Sequence, residues 1–240
     1  MKIIIIRHAD PDYINDSLTE KGFKEAELLS QRISKMKIDE IWCSPLGRAK
    51  ATAKPSLEKL GMQANIADWL REFDGKSIDP DTGEETRPWD FLPRCFKDCN
   101  TAFDSNRWQD SKLYNTKSII EKYRDVCEGL DEIFAKHGYI KKGRVYETEQ
   151  GNEDVIAFFC HYGIESFMLS HILNFTPIIF LQNFVALPSS VTILTSEERE
   201  KGTAIFRCSH FGDTSHLYKA DEPLSFSARF CEIYESSDRH

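Results

Sequence analysis

Two runs of consecutive apolar residues restrict the fold more than any other feature of this sequence. The first occupies residues 2–6 and is rich in β-branched isoleucine, and the second occupies 155–160. Neither run alternates with polar residues, so each suits a strand that is buried on both faces of a sheet. The first run is followed by Arg7 and His8 and the second by His161. The runs therefore predict an α/β sheet with imidazoles at the ends of two strands.

Helical and strand patterns alternate along the rest of the chain. Thr19 is a suitable N-cap, and apolar residues recur after it at spacings of three and four, which predicts a helix over 20–36. Ser44 and Pro45 are interpreted as the N-cap and first residue of a helix that ends at Leu60. The other predicted elements are strands at 39–43, 190–195 and 203–208 and helices at 116–136 and 163–173. This alternation supports the α/β class.

A long stretch between the second and third helices has a different character. Residues 63–114 have weak periodicity, with Pro and Asp clustered at 79–84 and three tryptophans spread through the stretch. Long segments without strong elements are usually functional or mobile. We therefore expect one domain over residues 1–240, with a cap or lid inserted at about 74–115.

Charge and composition limit the partners of the chain. The sequence has 39 acidic and 31 basic residues, for a formal net charge of −8. Nucleic acids and acidic membranes are bound by basic patches, so neither is an expected partner. No apolar stretch approaches the roughly 18 residues of a membrane span. The seven cysteines are scattered, and the one close pair, Cys95 and Cys99, lacks the two further ligands of a metal site. We expect a cytoplasmic protein without a bound metal.

The polar residues that follow the two apolar runs predict an anion site. Ligands of open α/β sheets bind beyond the carboxyl ends of the strands, where His8 and His161 are expected. Arg7 adjoins the first histidine, and Arg48 lies near the start of a helix whose free N–H groups favour anions. Guanidinium forks fit phosphate oxygens well. These groups together suit one tetrahedral dianion.

Several segments resemble, in this order, the signature segments of the histidine phosphatase superfamily, the phosphoglycerate mutase-like proteins. They are Arg7-His8-Ala9, Leu18-Thr19-Glu20-Lys21-Gly22, Ser44-Pro45-Leu46-Gly47-Arg48-Ala49 with Thr52-Ala53, Leu70-Arg71-Glu72, His161-Tyr162-Gly163 and, as a closing motif, Gly212-Asp213-Thr214-Ser215-His216-Leu217. The order of the segments makes the match specific. The resemblance covers residues 1 to about 217 outside the predicted cap. It implies a three-layer αβα sandwich with a mixed, mainly parallel central sheet.

The resemblance also implies an activity and a role for each site residue. The protein is expected to be a phosphatase that needs neither metal nor cofactor and hydrolyses a small-molecule phosphate monoester. His8 would attack phosphorus and form a phosphohistidine, while Arg7, Arg48 and His161 bind the phosphate oxygens. Glu72 would act as general acid and then as general base. Asp68 and Asp74 lie near Glu72 in the sequence and compete with it for that role.

The sequence departs from the family pattern at a few positions. Ala9 stands where glycine is usual, and Tyr162 replaces a small residue, which we expect to narrow the entrance for substrate. Asn15 is left unassigned, because it lies close to, but not clearly at, the position of a phosphate-contacting asparagine in the mutases. His216 is a candidate support for the site.

Three other functions remain open at the level of sequence. A phosphoglycerate mutase is disfavoured, because residues 9–17 do not resemble the longer stretch of the mutases. A phosphate-binding module without turnover would retain the pocket. In a metallophosphatase, His8, Asp10 and Asp12 would be metal ligands. The physiological substrate and the oligomeric state stay open.

Overall fold

A computed structural model describes residues 1–225, 227 and 233–236 of the chain. Its strands and helices are, in chain order, β1 (Lys2–Arg7), β2 (Pro11–Asp12), β3 (Ser17–Leu18), α1 (Glu20–Ile33), β4 (Glu40–Cys43), α2 (Gly47–Leu60), β5 (Asn65–Ile66), β6 (Ser77–Ile78), β7 (Glu85–Thr86), α3 (Lys117–Lys136), β8 (Ile140–Lys142), β9 (Val145–Glu147), β10 (Val155–Cys160), α4 (Tyr162–Leu173), α5 (Pro177–Asn183), β11 (Val191–Glu200), β12 (Thr203–Asp213) and α6 (Ser215–Lys219).

Eight of these strands form one mixed sheet. Their order across the sheet is β5-β4-β10-β1-β11-β12-β9-β8. The first four strands in that order are parallel to one another. Strands β11 and β9 run in the opposite direction, because the remaining neighbours pair antiparallel. Most strands therefore share one direction, which confirms the expected mixed, mainly parallel sheet.

The isoleucines of β1 divide the core into two layers. Ile3 and Ile5 belong to a cluster that includes Leu130 of α3 and Phe167 of α4. Ile4 and Ile6 belong to a second cluster, which includes residues of α1 and α2 such as Leu29. Successive side chains of a strand point to opposite faces, so these clusters cover the two faces of the sheet. This arrangement confirms the three-layer α/β fold.

The element boundaries confirm some local predictions and correct others. The hydroxyl of Thr19 accepts a hydrogen bond from the amide of Gly22, as expected of an N-cap, although α1 ends at Ile33. Helix α2 begins at Gly47, so the prediction that Ser44 and Pro45 open this helix is wrong. The N-cap residue Leu46 has no capping side chain, and the carboxylate that accepts from the amide of Gly47 comes from Asp16.

The segment predicted as a cap consists of short elements. A β6–β7 hairpin is followed by 3-10 helices at Pro93–Phe96, Asn100–Phe103 and Trp108–Asp110. The ring of Trp108 packs edge-on against Tyr123 of α3, with centroids 4.9 Å apart, so this segment shares the core of that helical layer. Its role as a cap stays a prediction. Across the described residues, no helix combines the length and apolarity needed to cross a bilayer.

Candidate active site

The residues that follow β1 and β10 meet at one edge of the sheet. Arg7 is paired with Cys160 in the parallel register, and the rings of His8 and His161 have centroids 5.1 Å apart. A cavity of about 770 Å³ opens at this edge. It is lined by Arg7, His8, Tyr13, Leu46, Arg48, Arg71, Glu72, Phe73, Asp74, Arg87, Trp89, Asp90, Tyr162, Val185 and Ser227. The structure therefore brings the predicted site residues together.

His8 is held by its backbone and by one ring nitrogen. Its amide donates to the carbonyl of Cys160 at 3.0 Å, and its carbonyl accepts from the amide of Ser189 at 3.0 Å. The ring nitrogen Nδ1 lies 2.8 Å from the carbonyl oxygen of Ala9, which can only accept, so Nδ1 carries the hydrogen. Burial, reinforced by the charge of Arg7, lowers the pKa of His8 well below 6.5. The ring is therefore neutral near pH 7, with a lone pair on Nε2.

Arg7 is buried beneath an aromatic ring. Its Nη1 donates to the carbonyl of Ala186 at 2.5 Å, and its guanidinium carbon lies 5.6 Å from the ring centroid of Tyr162. The Tyr162 hydroxyl is occupied by the backbone, since its oxygen lies 2.8 Å from the carbonyl oxygen of Phe184 and 3.0 Å from that of Phe180, and its one hydrogen is shared between them. The tyrosine that departs from the family pattern thus contributes its ring, and not its hydroxyl, to the cavity.

Arg48 is held by a carboxylate from a different loop. Its Nη1 lies 2.7 Å from Oδ1 of Asp16, whose other oxygen accepts from the amide of Gly47 at 2.6 Å. The backbone of Asp16 has a φ of 46°, in the left-handed region. Burial raises the pKa of Asp16, but these hydrogen bonds outweigh it and leave that pKa below its usual value. Asp16 is therefore an anion that orients Arg48 and caps α2.

His161 lies behind His8 and is not on the cavity wall. It is fully buried, and its Nε2 lies 2.8 Å from the hydroxyl of Ser44. Its Nδ1 has no hydrogen-bond partner among the described residues. Burial, followed by the neighbouring His8, lowers the pKa of His161 well below 6.5. Ser44, which the sequence suggested as a helix cap, instead contacts this histidine.

Glu72 reaches the cavity beside the start of α4. Its Oε2 accepts from the amide of Gly163 at 3.1 Å, and its Oε1 lies 3.3 Å from the amide of Phe73. Burial raises the pKa of Glu72 despite these hydrogen bonds and two arginines. A β-carbon on Gly163 would come within 2.7 Å of Oε1, so this close approach requires glycine. Of the competing carboxylates, Asp74 lines the cavity, and exposed Asp68 is not among its lining residues.

The carboxylates that the metal-ion alternative would use are hydrogen-bonded to protein groups. Asp10 accepts from the hydroxyls of Thr19, Ser225 and Ser227. Asp12 accepts from the side-chain amide of Asn15 at 2.7 Å. These contacts give Asp10 and Asp12 structural roles in the loop after β1. They also account for Asn15, which bonds within the loop.

His216 contacts the site through one intermediate residue. Its Nε2 lies 3.1 Å from the hydroxyl of Ser189, whose amide donates to the carbonyl of His8. Burial lowers the pKa of His216 to about 4. His216 is therefore connected to the backbone of His8 through Ser189, which is consistent with the supporting role expected of it.

Sequence patterns did not single out several residues of the cavity wall. Tyr13 lies in the loop after β1, with its ring centroid 5.4 Å from the guanidinium carbon of Arg48. Arg87, Trp89 and Asp90 come from the segment predicted as a cap. Arg71 lies within the segment Leu70-Arg71-Glu72, but the resemblance implies no role for it. These residues of the predicted cap lie where the sequence has no periodic pattern, so their position on the wall could not be predicted from it.

Comparisons with known proteins identify a family and related sequences. A family model of the histidine phosphatase superfamily (branch 1) matches residues 3–207. A Schizosaccharomyces pombe protein named as a probable phosphatase is 25% identical over 233 residues, covering 90% of this chain and 95% of the relative. Phosphoserine phosphatase 1 of Hydrogenobacter thermophilus is 31% identical over 83 residues, which are 31% of this chain and 39% of that protein.

Solved structures with a similar fold include several phosphatases. One is a phosphoserine phosphatase of Entamoeba histolytica in complex with phosphoserine, with a TM-score of 0.59, 18% identity and coverage of 90% of this chain and 98% of the other. Another is the alpha-ribazole phosphatase of Shigella flexneri, with a TM-score of 0.58, 16% identity and coverage of 89% and 97%. At these identities the likeness is one of fold.

Proposed function

The chain belongs to the histidine phosphatase superfamily and is a phosphatase, and from that premise we propose that it hydrolyses a small-molecule phosphate monoester through a phosphohistidine on His8. The observation that carries this proposal is the bond from Nδ1 of His8 to the carbonyl of Ala9. It leaves Nε2 as an unprotonated nucleophile that faces a cavity rich in guanidinium groups. Neither a metal nor a cofactor has a part in the proposed chemistry.

The reaction proceeds in two displacements at phosphorus. In the first, Nε2 of His8 forms a bond to phosphorus while the bond to the ester oxygen breaks, and Glu72 gives its proton to that oxygen. In the second, water attacks phosphorus as Glu72 takes back a proton, and the bond to Nε2 breaks to release phosphate. The raised pKa of Glu72 supports its role, because a general acid must be protonated before the first step.

The phosphate would supply the hydrogen-bond acceptors that buried donors lack. Nε of Arg7 and Nε of Arg48 are buried without partners among the described residues. A buried donor without a partner is costly unless a ligand or water supplies an acceptor. Both guanidinium groups line the cavity, so binding of a phosphate dianion there is favoured by charge as well.

His161 is proposed to donate to the phosphate from Nδ1 after a small adjustment of the buried ring. The amide of Leu46 donates to the Ser44 hydroxyl at 3.3 Å. The hydroxyl hydrogen can then be directed to Nε2 of His161, which leaves the ring hydrogen on Nδ1. Ser44 thus supports the tautomer that this role requires.

The size of the cavity supports a small-molecule substrate. About 770 Å³ lies within the ordinary range of small-molecule sites and exceeds the needs of phosphate alone. The related proteins named above include phosphoserine phosphatases. The Entamoeba histolytica phosphoserine phosphatase, which has a similar fold, has also been solved in complex with 3-phosphoglyceric acid. Small phosphate monoesters of this size are therefore the substrates to assay first.

Trapping of the phosphorylated enzyme tests the proposal. The full chain is mixed with an aryl phosphate in the presence of a chelator, quenched and mapped by mass spectrometry for a phosphoryl group on His8. We expect hydrolysis and one phosphoryl group, both absent in His8→Ala. His210→Asn, at an exposed histidine on β12, serves as the control and retains both. Turnover by His8→Ala, or turnover without phosphorylation of His8 in the unmodified chain, would contradict the mechanism.

A further inference from the structure

The cavity contains more positive charge than one phosphate group requires. Besides Arg7 and Arg48, its wall includes Arg71 and Arg87, so four guanidinium groups face one cavity in a chain of net charge −8. Arg71 follows the 3-10 helix Asp68–Leu70, whereas Arg87 follows β7 of the inserted segment. Two separate parts of the chain therefore place cations beyond the phosphate-binding pair.

Arg71 and Arg87 are not used to hold the fold together. Both side chains are exposed, and within the described residues neither forms an ion pair or a side-chain hydrogen bond. By contrast, Arg94 of the same segment pairs with Asp79 and Asp81. Unpaired arginines on a concave wall are available for a ligand, because a guanidinium fork binds carboxylate or phosphate through two parallel hydrogen bonds.

Acidic residues of the same wall do not cancel this charge. Three of them, Glu72, Asp74 and Asp90, line the cavity, and burial raises the pKa of Glu72. The four arginines therefore exceed the ionised carboxylates. In a concave site this excess attracts anions, although solvent weakens the effect at the exposed end.

The two groups of arginines line one cavity of about 770 Å³. The guanidinium carbon of Arg7 is 5.6 Å from the ring centroid of Tyr162, and that ring is 5.8 Å from the ring of Trp89. Trp89 is two residues from Arg87, so the segment that carries Arg87 is two ring contacts from the phosphate end. A small molecule that fills this cavity can therefore contact both groups.

We propose that the natural substrate carries a second anionic group besides the phosphate ester, and that Arg71 and Arg87 bind it. The inference rests on the proposed function, because it assumes that the ester phosphate binds at Arg7 and Arg48. The second group is a carboxylate or a second phosphate, both of which match a guanidinium fork. A neutral or purely cationic alcohol phosphate would leave these arginines unused.

Matched pairs of substrates test the inference with the unmodified enzyme. Phosphoserine is compared with phosphoethanolamine, which lacks only the carboxylate, and a sugar bisphosphate with the corresponding monophosphate. We expect kcat/KM to be about tenfold higher for at least one member that carries the second anion, mainly through a lower KM. The pair that shows the preference identifies carboxylate or phosphate as the second group. Hydrolysis of an aryl phosphate is measured in parallel.

The variants Arg71→Gln and Arg87→Gln, alone and together, assign the preference to these side chains. In the double variant, the ratio of kcat/KM between the two members of the preferred pair should fall about tenfold towards one. Arg107→Gln, at an exposed arginine of the inserted segment that does not line the cavity, should keep the ratio of the unmodified enzyme.

Each failure has a separate meaning. The unmodified enzyme could hydrolyse the aryl phosphate while its kcat/KM differs less than about twofold between the two members of every pair. That result would overturn this inference and leave the proposed function intact. A double variant that still turns over substrate and keeps the full preference overturns the assignment to Arg71 and Arg87. If the unmodified enzyme hydrolyses no phosphate ester at all, the proposed function fails, and this inference fails with it.

Discussion

The carboxylate of Asp16 lies 2.7 Å from Nη1 of Arg48 and also accepts from the amide of Gly47 at 2.6 Å. One anion thus both caps α2 and orients an arginine of the proposed phosphate site. The close approach is possible because residue 47 is glycine, as a β-carbon there would come within 2.0 Å of the Asp16 carbonyl oxygen. The loop after β1 and the start of α2 therefore act as one unit in positioning Arg48.

Asp16→Asn tests this relationship. Asparagine tolerates the left-handed backbone and still offers an oxygen to the amide of Gly47, but it removes the charge that holds Arg48. We expect kcat/KM for an aryl phosphate to fall about tenfold, because a mobile guanidinium stabilises the transition state less well. Asp98→Asn, at an exposed aspartate that does not line the cavity, is the control. Equal kcat/KM for Asp16→Asn and the unmodified enzyme would rule out the positioning role.

Glu72→Gln should separate substrates by their leaving groups. An alkoxide leaving group needs a proton and an aryl oxide hardly does, so we expect roughly 100- to 1000-fold loss of kcat/KM for an alkyl phosphate and a much smaller loss for an aryl phosphate. A similar loss for both classes would contradict the role of general acid. Asp74→Asn is the informative comparison, because Asp74 is the competing carboxylate on the same wall.

The pH profile should have two limbs with opposite causes. The pKa of His8 is lowered by burial and by Arg7, so the nucleophile is lost only when the pH falls through that low value. The pKa of Glu72 is raised by burial, so the proton of the general acid is lost as the pH rises through that value. We expect kcat/KM for an alkyl phosphate to decline on the alkaline side, and this limb should disappear in Glu72→Gln. An alkaline limb that persists in that variant would assign it to another group.

Gly163→Ala should impair activity through Glu72. The added methyl group would come within 2.7 Å of Oε1 of Glu72 and 2.8 Å of the ring of Trp89, so the carboxylate must move. We expect kcat/KM for an alkyl phosphate to fall about as far as in Glu72→Gln. Because both changes act on one group, the double variant should lose little more than either single variant. Additive losses would show that Gly163 acts independently of Glu72.

Local sequence patterns predicted the fold well wherever a single segment determines its own structure. Uninterrupted apolar runs located β1 and β10, and the alternation of Ile3 with Ile4 explains the two cores. The start of α2 was misplaced because its cap comes from Asp16, which a local pattern cannot reveal. Short elements such as α5 and the β8–β9 hairpin were missed, because their stability depends on packing more than on periodicity.

Sequence patterns likewise predicted some residues of the candidate site and missed others. Ordered motifs indicated Arg7, His8, Arg48 and His161, and the sheet brings them together because parallel strands end at one edge. Arg87 and Trp89 lie on the cavity wall because an irregular segment passes beside it. The sequence of that segment has no periodicity, so the position of these two residues could not be predicted. The residues that we propose to distinguish substrates are therefore those that the sequence indicated least well.

His137 should stabilise the edge of the sheet opposite the site. Its Nδ1 lies 2.8 Å from Asp154, and its Nε2 lies 3.0 Å from Glu40, at the starts of β10 and β4. Burial lowers the pKa of His137, but these two carboxylates outweigh burial and raise that pKa above 6.5. The charged form is thus favoured in the folded state, and its stabilisation is complete below the unfolded pKa and is lost as the pH rises through the folded value.

His137→Gln should therefore lower the free energy of unfolding by about 1–2 kcal/mol in mildly acidic buffer and by less in alkaline buffer. Urea unfolding at several pH values measures this difference, with His210→Asn as the exposed control. Activity towards an aryl phosphate should be unaffected, because the ion pairs of His137 lie at the amino ends of the strands and the cavity lies at their carboxyl ends. A stability difference that grows with rising pH would mean that His137 is held in its neutral form.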